Sequence, residues 1–309
     1  MNCVIKTDIM GVLPIYKPKG MTSHDVVNII RKLYGMRKVG HTGTLDPNAE
    51  GLLLLCLGRA TKFIQYMEKT DKTYLAEIIF GKETDTEDLT GQVVVEKPCL
   101  FSTDQYQKLL KSFIGQYDQK PPIYSALKLN GRKYYDYARE GKVLDIQSRS
   151  VSIYMIQSID ESQLPERASF LVQCSRGTYI RSLCRDMGRR INSAACMGML
   201  MRKKIGNIKI EDSFYLETLN EMSMQDRIDC LLKIEDVLGN YQCVSSNERG
   251  DHFILNGCFL YQWNAKEDFE QFKNLQILKI YDSGGHFLGI GQFQRVCPDA
   301  YVKPLKLLT

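Results

Sequence analysis

The chain has 309 residues, 44% hydrophobic and 25% charged, enough to bury a sizeable core in one large domain or two smaller ones. Ten cysteines show no C-x-x-C pair and the four histidines (His24, His41, His252, His286) are scattered, so no metal centre is expected, and without a leader peptide no disulfide framework is expected either. The net charge of +5 conceals a segregation: residues 1–75, 120–149 and 176–209 carry +5, +4 and +8, which makes either one surface for a polyanion or three separate solvated faces.

In chain order, "GVLPIYKPKGMTSHDVVNIIRKLYG" reads as a strand over Val12 to Tyr16, a break at Pro18 and Gly20, and a helix capped by Ser23 and closed by Gly35. A Gly/Thr-rich loop follows, "GHTGTLDPNAEG", with Asp46 before Pro47. The run Leu52 to Leu57 then reads as a buried strand or a helix start. "RATKFIQYMEKTDKTY" suggests a helix leading into a strand, "KTYLAEIIFG", and "KETDTEDLTGQVVVEK" an acidic loop entering another strand. Helical spacing recurs over Phe101 to Gly115. After an extended Pro-Pro loop a helix is expected near Lys133. Residues 148–175 read as two strands, and "GTYIRSLCRDMGRRI" as a turn and a basic helix. "ILKIYDSGGHFLGIGQF" reads as a hairpin around Asp282 to His286. The irregular mixture of helices and strands predicts an α+β protein. The character changes near Asp236, so the expected domains are 1–235 and a small β-rich unit over 236–309.

No phosphate-binding loop, dinucleotide fingerprint or serine nucleophile elbow occurs, so an enzyme here is expected to need no cofactor. Three polar residues sit in unusual contexts: Asp46 in its turn, Tyr74 at the start of an apolar strand, and Arg181 after "GTYI". Asp-Pro commonly forms turns, a strand tyrosine commonly packs, and a helical arginine commonly faces solvent. Together the three also make a site: a carboxylate as nucleophile or base, a guanidinium to hold and orient it, and a ring for a base to stack on. Such a site suits a nucleobase flipped out of its helix.

The segment "GHTGTLDPNAEGLL" resembles the signature of the TruB family of tRNA pseudouridine synthases, matching at Gly40, His41, Gly43, Leu45, Asp46, Pro47, Ala49, Gly51 and Leu53. "YKPKGMTSHDVV", "DKTYLAEIIFGKETDTEDLTG", "PPIYSALKLNGRKYYDYAREG" and "CSRGTYIRSLCRDMG" match further family motifs in order, over about residues 11–205. The resemblance implies a pseudouridine synthase fold, a mixed and largely antiparallel sheet flanked by helices, with a PUA-like C-terminal domain. It implies conversion of uridine to pseudouridine at position 55, in the T-loop of tRNA. Asp46 would be the catalytic carboxylate, Tyr74 the ring that stacks on the flipped uracil, and Arg181 the partner of Asp46. His41 would sit under the disrupted T-loop pairing, Tyr179 and Leu200 would line the pocket, and Lys17, Lys19, Arg59 and Lys62 would contact phosphates. The partner would be the tRNA T-arm, with no guide RNA, no membrane and no metal, and the protein a cytoplasmic monomer. The alternative is a tRNA-binding folding factor that does not need the chemistry.

Overall fold

The computed structural model describes residues 9–97, 100–125, 127–129, 131–140, 146–239, 241–296 and 298–308. Parts of the motif at 121–141 (Ala126, Asn130 and Gly141) lie outside them. The larger sheet is built from β1 (Gly11–Lys17), β2 (Glu50–Leu57), β3 (Lys72–Phe80), β4 (Gly115–Gln119), β5 (Arg149–Asp160), β6 (Arg167–Cys174) and β7 (Ala195–Ile205). Their order is β1-β2-β7-β3-β6-β5-β4, with short strands Val39–His41 on β2 and Ile208–Lys209 on β7. Every pair is antiparallel except β2–β7, which is parallel.

The leucine run is a strand, and it is buried on both faces. Alternation sends Leu52, Leu54 and Cys56 into one core and Leu53, Leu55 and Leu57 into another. Each such leucine is worth roughly 1.5–3 kcal/mol of burial, so this strand is a rigid floor for the loop before it. A third core, with Tyr74, Ile78, Phe170 and Leu183, lies beneath α2 (Thr103–Lys111) and α3 (Ile180–Arg190).

Helix α1 (Ser23–Leu33) is capped by Thr22, in a reciprocal box with Asp25, and not by the expected Ser23. The Ser23 hydroxyl is engaged elsewhere, as described below. The expected acidic loop is a two-stranded hairpin, Lys82–Thr84 with Val93–Glu96. The C-terminal sheet has the order β8-β10-β11-β12-β9, from β8 (Cys243–Ser245), β9 (Leu260–Tyr261), β10 (Ile277–Tyr281), β11 (Phe287–Val296) and β12 (Asp299–Leu307). Its turn at Asp282 to His286 falls where the hairpin was expected. Phe287 and Ile290 of this sheet share a core with Val12, Leu52 and Phe63 of the larger one. Among the described residues no helix is long and apolar enough to cross a membrane, and no group of three or more His, Cys, Asp or Glu could hold a metal.

Candidate active site

Asp46 opens a tight turn closed by Ala49 N–H donating to the Asp46 carbonyl at 3.1 Å, with Pro47 at the second position, where its fixed φ fits. The loop is strapped on several sides. Ser23 Oγ donates to the Leu45 carbonyl at 3.1 Å and accepts from Leu45 N–H at 2.9 Å. Gly20 N–H donates to the Pro47 carbonyl at 2.8 Å. Thr42 N–H donates to the Leu54 carbonyl at 3.1 Å.

The Asp46 carboxylate is 37% exposed, and its Oδ2 lies 3.0 Å from Arg181 Nε. Arg181, on the first turn of α3, is itself buried. Its other nitrogens donate to the carbonyls of Thr86 at 3.1 Å and Tyr124 at 3.0 Å. The guanidinium is therefore fixed before it meets the carboxylate, and the charge-assisted bond orients Asp46 while leaving it partly exposed. Asp88, not singled out in the sequence, stands 4.0 Å from the same Nε. It accepts from the hydroxyls of Thr86 at 2.8 Å and Thr90 at 2.5 Å, and from Thr90 N–H at 2.9 Å.

Tyr74 is 8% exposed, and burial raises its phenol above the ordinary range. Leu200 is buried on β7 beside it, across from Ala76, in the core that also holds Leu45. Tyr179 precedes α3; its N–H donates to Gln119 Oε1 at 2.8 Å, and its carbonyl accepts from Gln119 Nε2 at 3.0 Å. Burial likewise raises its phenol, which feels both Arg181 and Asp46. His41 accepts from Gly43 N–H through Nδ1 at 3.3 Å, which puts its proton on Nε2. Burial and the nearby Arg202 charge lower its pKa, so the ring is neutral at neutral pH. Tyr74, Tyr179, Arg181 and Leu200 thus converge on the Asp46 loop, with His41 within it.

The four cations assigned to phosphates divide. Lys19 is exposed. Arg59 and Lys62 are half-buried and donate to the carbonyls of Leu308 and Leu307, the latter at 2.9 Å, tying the end of β12 to the larger sheet. Lys17 corrects the expectation: it is fully buried, and its ammonium donates to the carbonyls of Met21 at 2.7 Å, Pro18 at 3.0 Å and Pro47 at 3.4 Å. Burial pushes it down to about 8.

The basic helix stands where it was expected, but not all of its charge faces solvent. Arg181, Arg185 and Arg189 fall four apart on α3 and meet the hairpin carboxylates. Arg185 pairs with Glu87 and, at 2.8 Å, with Asp186, and Arg189 pairs with Glu83. Three of the nine basic residues of the +8 window thus meet carboxylates from outside it, Arg181 and Arg185 of them buried. The residue most fully missed is Arg202, 1% exposed on β7.

Against known structures, the chain is similar to one in a Cbf5–Nop10–Gar1 complex, with a TM-score of 0.77 at 22% identity, covering 98% of this chain and 86% of that one. A chain of an archaeal box H/ACA sRNP Nop10–Cbf5 complex gives 0.76 at 20% identity, covering 99% and 88%. The chain shares their fold over nearly its whole length. Residues 31–180 match the model of the TruB family pseudouridylate synthase N-terminal domain, which makes that fold the pseudouridine synthase one, with a PUA-like C-terminal domain. The tRNA pseudouridine synthase B of Caldanaerobacter subterraneus subsp. tengcongensis is 42% identical over 91% of this chain and 94% of its own. That of Clostridium perfringens is 39% identical over the same shares. The chain belongs to the TruB family of pseudouridylate synthases.

Proposed function

We propose that the protein isomerises uridine to pseudouridine in the T-loop of tRNA, at position 55, with Asp46 as the catalytic carboxylate. The observation that carries this is the Asp46–Arg181 pair at 3.0 Å, on a turn held from several sides, beside Tyr74. In the reaction the N1–C1′ bond of the uridine breaks and a C5–C1′ bond forms. The C5 proton is lost, N1 gains one, and substrate and product are isomers, so the chemistry balances without an external donor. Asp46 enters by attacking the sugar, attacking the ring or removing a ribose proton. All three routes need one fixed, solvent-facing carboxylate, and a misplacement of about 1 Å costs on the order of 10²-fold.

Flipping the nucleotide costs a few kcal/mol of stacking. Stacking on the Tyr74 ring, with Tyr179 and Leu200 closing the pocket and His41 beneath the opened T-loop pairing, offsets that cost. Lys19, exposed beside the Asp46 loop, is the phosphate contact; Lys17 instead holds the loop. The domains divide at 235/236. The enzyme acts as a monomer in the cytoplasm, without a guide RNA. The C-terminal domain, net −1, contacts tRNA through a few local basic residues. Because the two sheets share a core, that contact is tested by charge reversal at surface lysines such as Lys303 rather than by truncation; unchanged tRNA affinity removes it.

The decisive experiment incubates the protein with an unmodified tRNA transcript and maps pseudouridine along it. Product confined to the T-loop, and absent with Asp46→Asn, is expected. Product formed by that variant sinks the assignment of Asp46. Tight binding without product from the wild type would favour the folding-factor reading.

A further inference from the structure

Arg202 is among the largest fully buried side chains of the molecule. It lies on β7, where that strand runs between two neighbours: its Cα pairs with Gly51 of β2 on one side and Tyr74 of β3 on the other. The approach to β2 is close enough that a Cβ on Gly51 would come within 2.5 Å of the Arg202 carbonyl oxygen, and Gly51 has φ +104°. The guanidinium reaches three places. Nε donates to the Leu52 carbonyl at 2.7 Å, on the rigid floor strand. Nη2 donates to the Gly43 carbonyl at 3.1 Å, and Nη1 makes a long 3.5 Å approach to the Thr44 carbonyl, both in the Asp46 loop. The Tyr74 phenol lies near enough to feel the Arg202 charge.

Among the described residues no carboxylate lies within 4 Å of this guanidinium. A buried cation without an ion-pair partner is costly, and a Met or Leu would fill the same volume without that cost. A planar fork does what an apolar side chain does not: it sets the spacing between three backbone carbonyls at once, from the residue paired with Tyr74 across the strands. With 1% exposure, it does so out of reach of any RNA.

We propose that Arg202 is a positioning residue for the isomerisation. It locks the loop that carries Asp46 and the ring of Tyr74 to one strand, so that the carboxylate and the stacking surface keep a fixed offset. The inference rests on the proposed function, and the wild type measured in parallel separates the two. A wild type that forms no pseudouridine overturns that function, and with it a reaction to be positioned; a wild type that reacts, alongside variants that also react, overturns this inference alone.

The test compares Arg202→Lys, which keeps the charge but loses the fork, with Arg202→Met, which keeps volume alone. Single-turnover rates are read at saturating unmodified tRNA transcript, with half-saturating concentration read separately. Hydrogen exchange over residues 41–51 is followed without RNA. Leu219→Ala, in a core that does not contain Tyr74, serves as a destabilised control. The expected result is a rate about 10²-fold lower for Arg202→Lys, on the scale of a 1 Å misplacement, with half-saturation within threefold of wild type. Arg202→Met should be slower still. Exchange over 41–51 should quicken selectively in the lysine variant, a readout that stands even where the methionine variant fails to fold. The proposal is overturned by an Arg202→Lys rate within threefold of wild type, by an equal loss in Leu219→Ala, or by unchanged exchange in the loop.

Discussion

The two sheets of this molecule are made differently. On and around the larger one, with its hairpin and α3, Lys17, Lys72, Glu83, Glu87, Arg181, Arg185 and Arg202 are buried charged groups; on and around the C-terminal sheet the buried polar groups among the described residues are only Ser246 and Asn264. The C-terminal core is a plain apolar cluster of Val244, Ile254, Phe269, Phe293 and Val302. Packing alone is enough to hold a fold together. Burying seven charges is worthwhile only where groups must be held at fixed offsets for chemistry, and these gather around the Asp46 loop and the hairpin facing α3.

The largest expected effect is on the charged side. Asp46→Asn keeps the shape of the turn and should lower turnover by at least about 10⁴-fold, the scale of losing a nucleophile. tRNA affinity by filter binding should stay within threefold. A variant with appreciable turnover breaks the comparison at its root. On the apolar side, Phe293→Ala should cost about 3–5 kcal/mol of unfolding free energy in urea. It should leave the single-turnover rate per folded molecule unchanged, and a fivefold loss of that rate would show that the C-terminal core also governs the chemistry. Smaller is Asp88→Asn, which weakens the second carboxylate at Arg181. A rate loss of tenfold to a hundredfold is expected, about 1.4–2.8 kcal/mol in barrier, with little change in melting temperature. A rate equal to wild type would make Asp88 only a loop brace.

The most gradual effect is a slope. Burial, helped by the Arg202 charge, pushes the Lys72 ammonium from its ordinary 10.5 down to about 8. Between those values the unfolded chain binds more protons than the folded one, so folding gains as pH rises. Measured against Lys72→Met, wild-type stability should rise from pH 8 toward 10.5, by at most about 1.4 kcal/mol per pH unit. Below pH 8 the difference should be flat, and a flat difference throughout would mean that Lys72 is hydrated in solution.

Much of this was legible in the sequence. Strands with clean alternation, the turn at Asp46 and the C-terminal hairpin stand where pattern and turn chemistry put them. The strand β7 did not announce itself, because its pairing with β3 shifts register between Met197 and Leu200 and again between Arg202 and Lys204, and the shifts break the alternation. Arg202 was hidden in "MRKK", where a basic run reads as surface. Ser23 looked like a cap because a cap and a loop tether need the same hydroxyl. The i, i+4, i+8 arginines of α3 and the glutamates at 83 and 87 did carry a signal, two stripes of matching spacing and opposite sign, but only the fold shows that they face each other.

The parallel junction of β2 and β7 is made of two residue pairs, Met201 with Glu50 and Arg202 with Gly51. The junctions beside it are far longer, with seven pairs in β1–β2 and eight in β7–β3. Mechanically this is a fault line. Asp46 belongs to the flap on one side; Tyr74 and Arg181, whose helix packs on β7, belong to the other. A slide along that line would change the distance between carboxylate and guanidinium. Shear there would detune the enzyme, and the guanidinium of Arg202 is a bolt across it, beside the packing of Leu45 and Ala49 in the core of Tyr74.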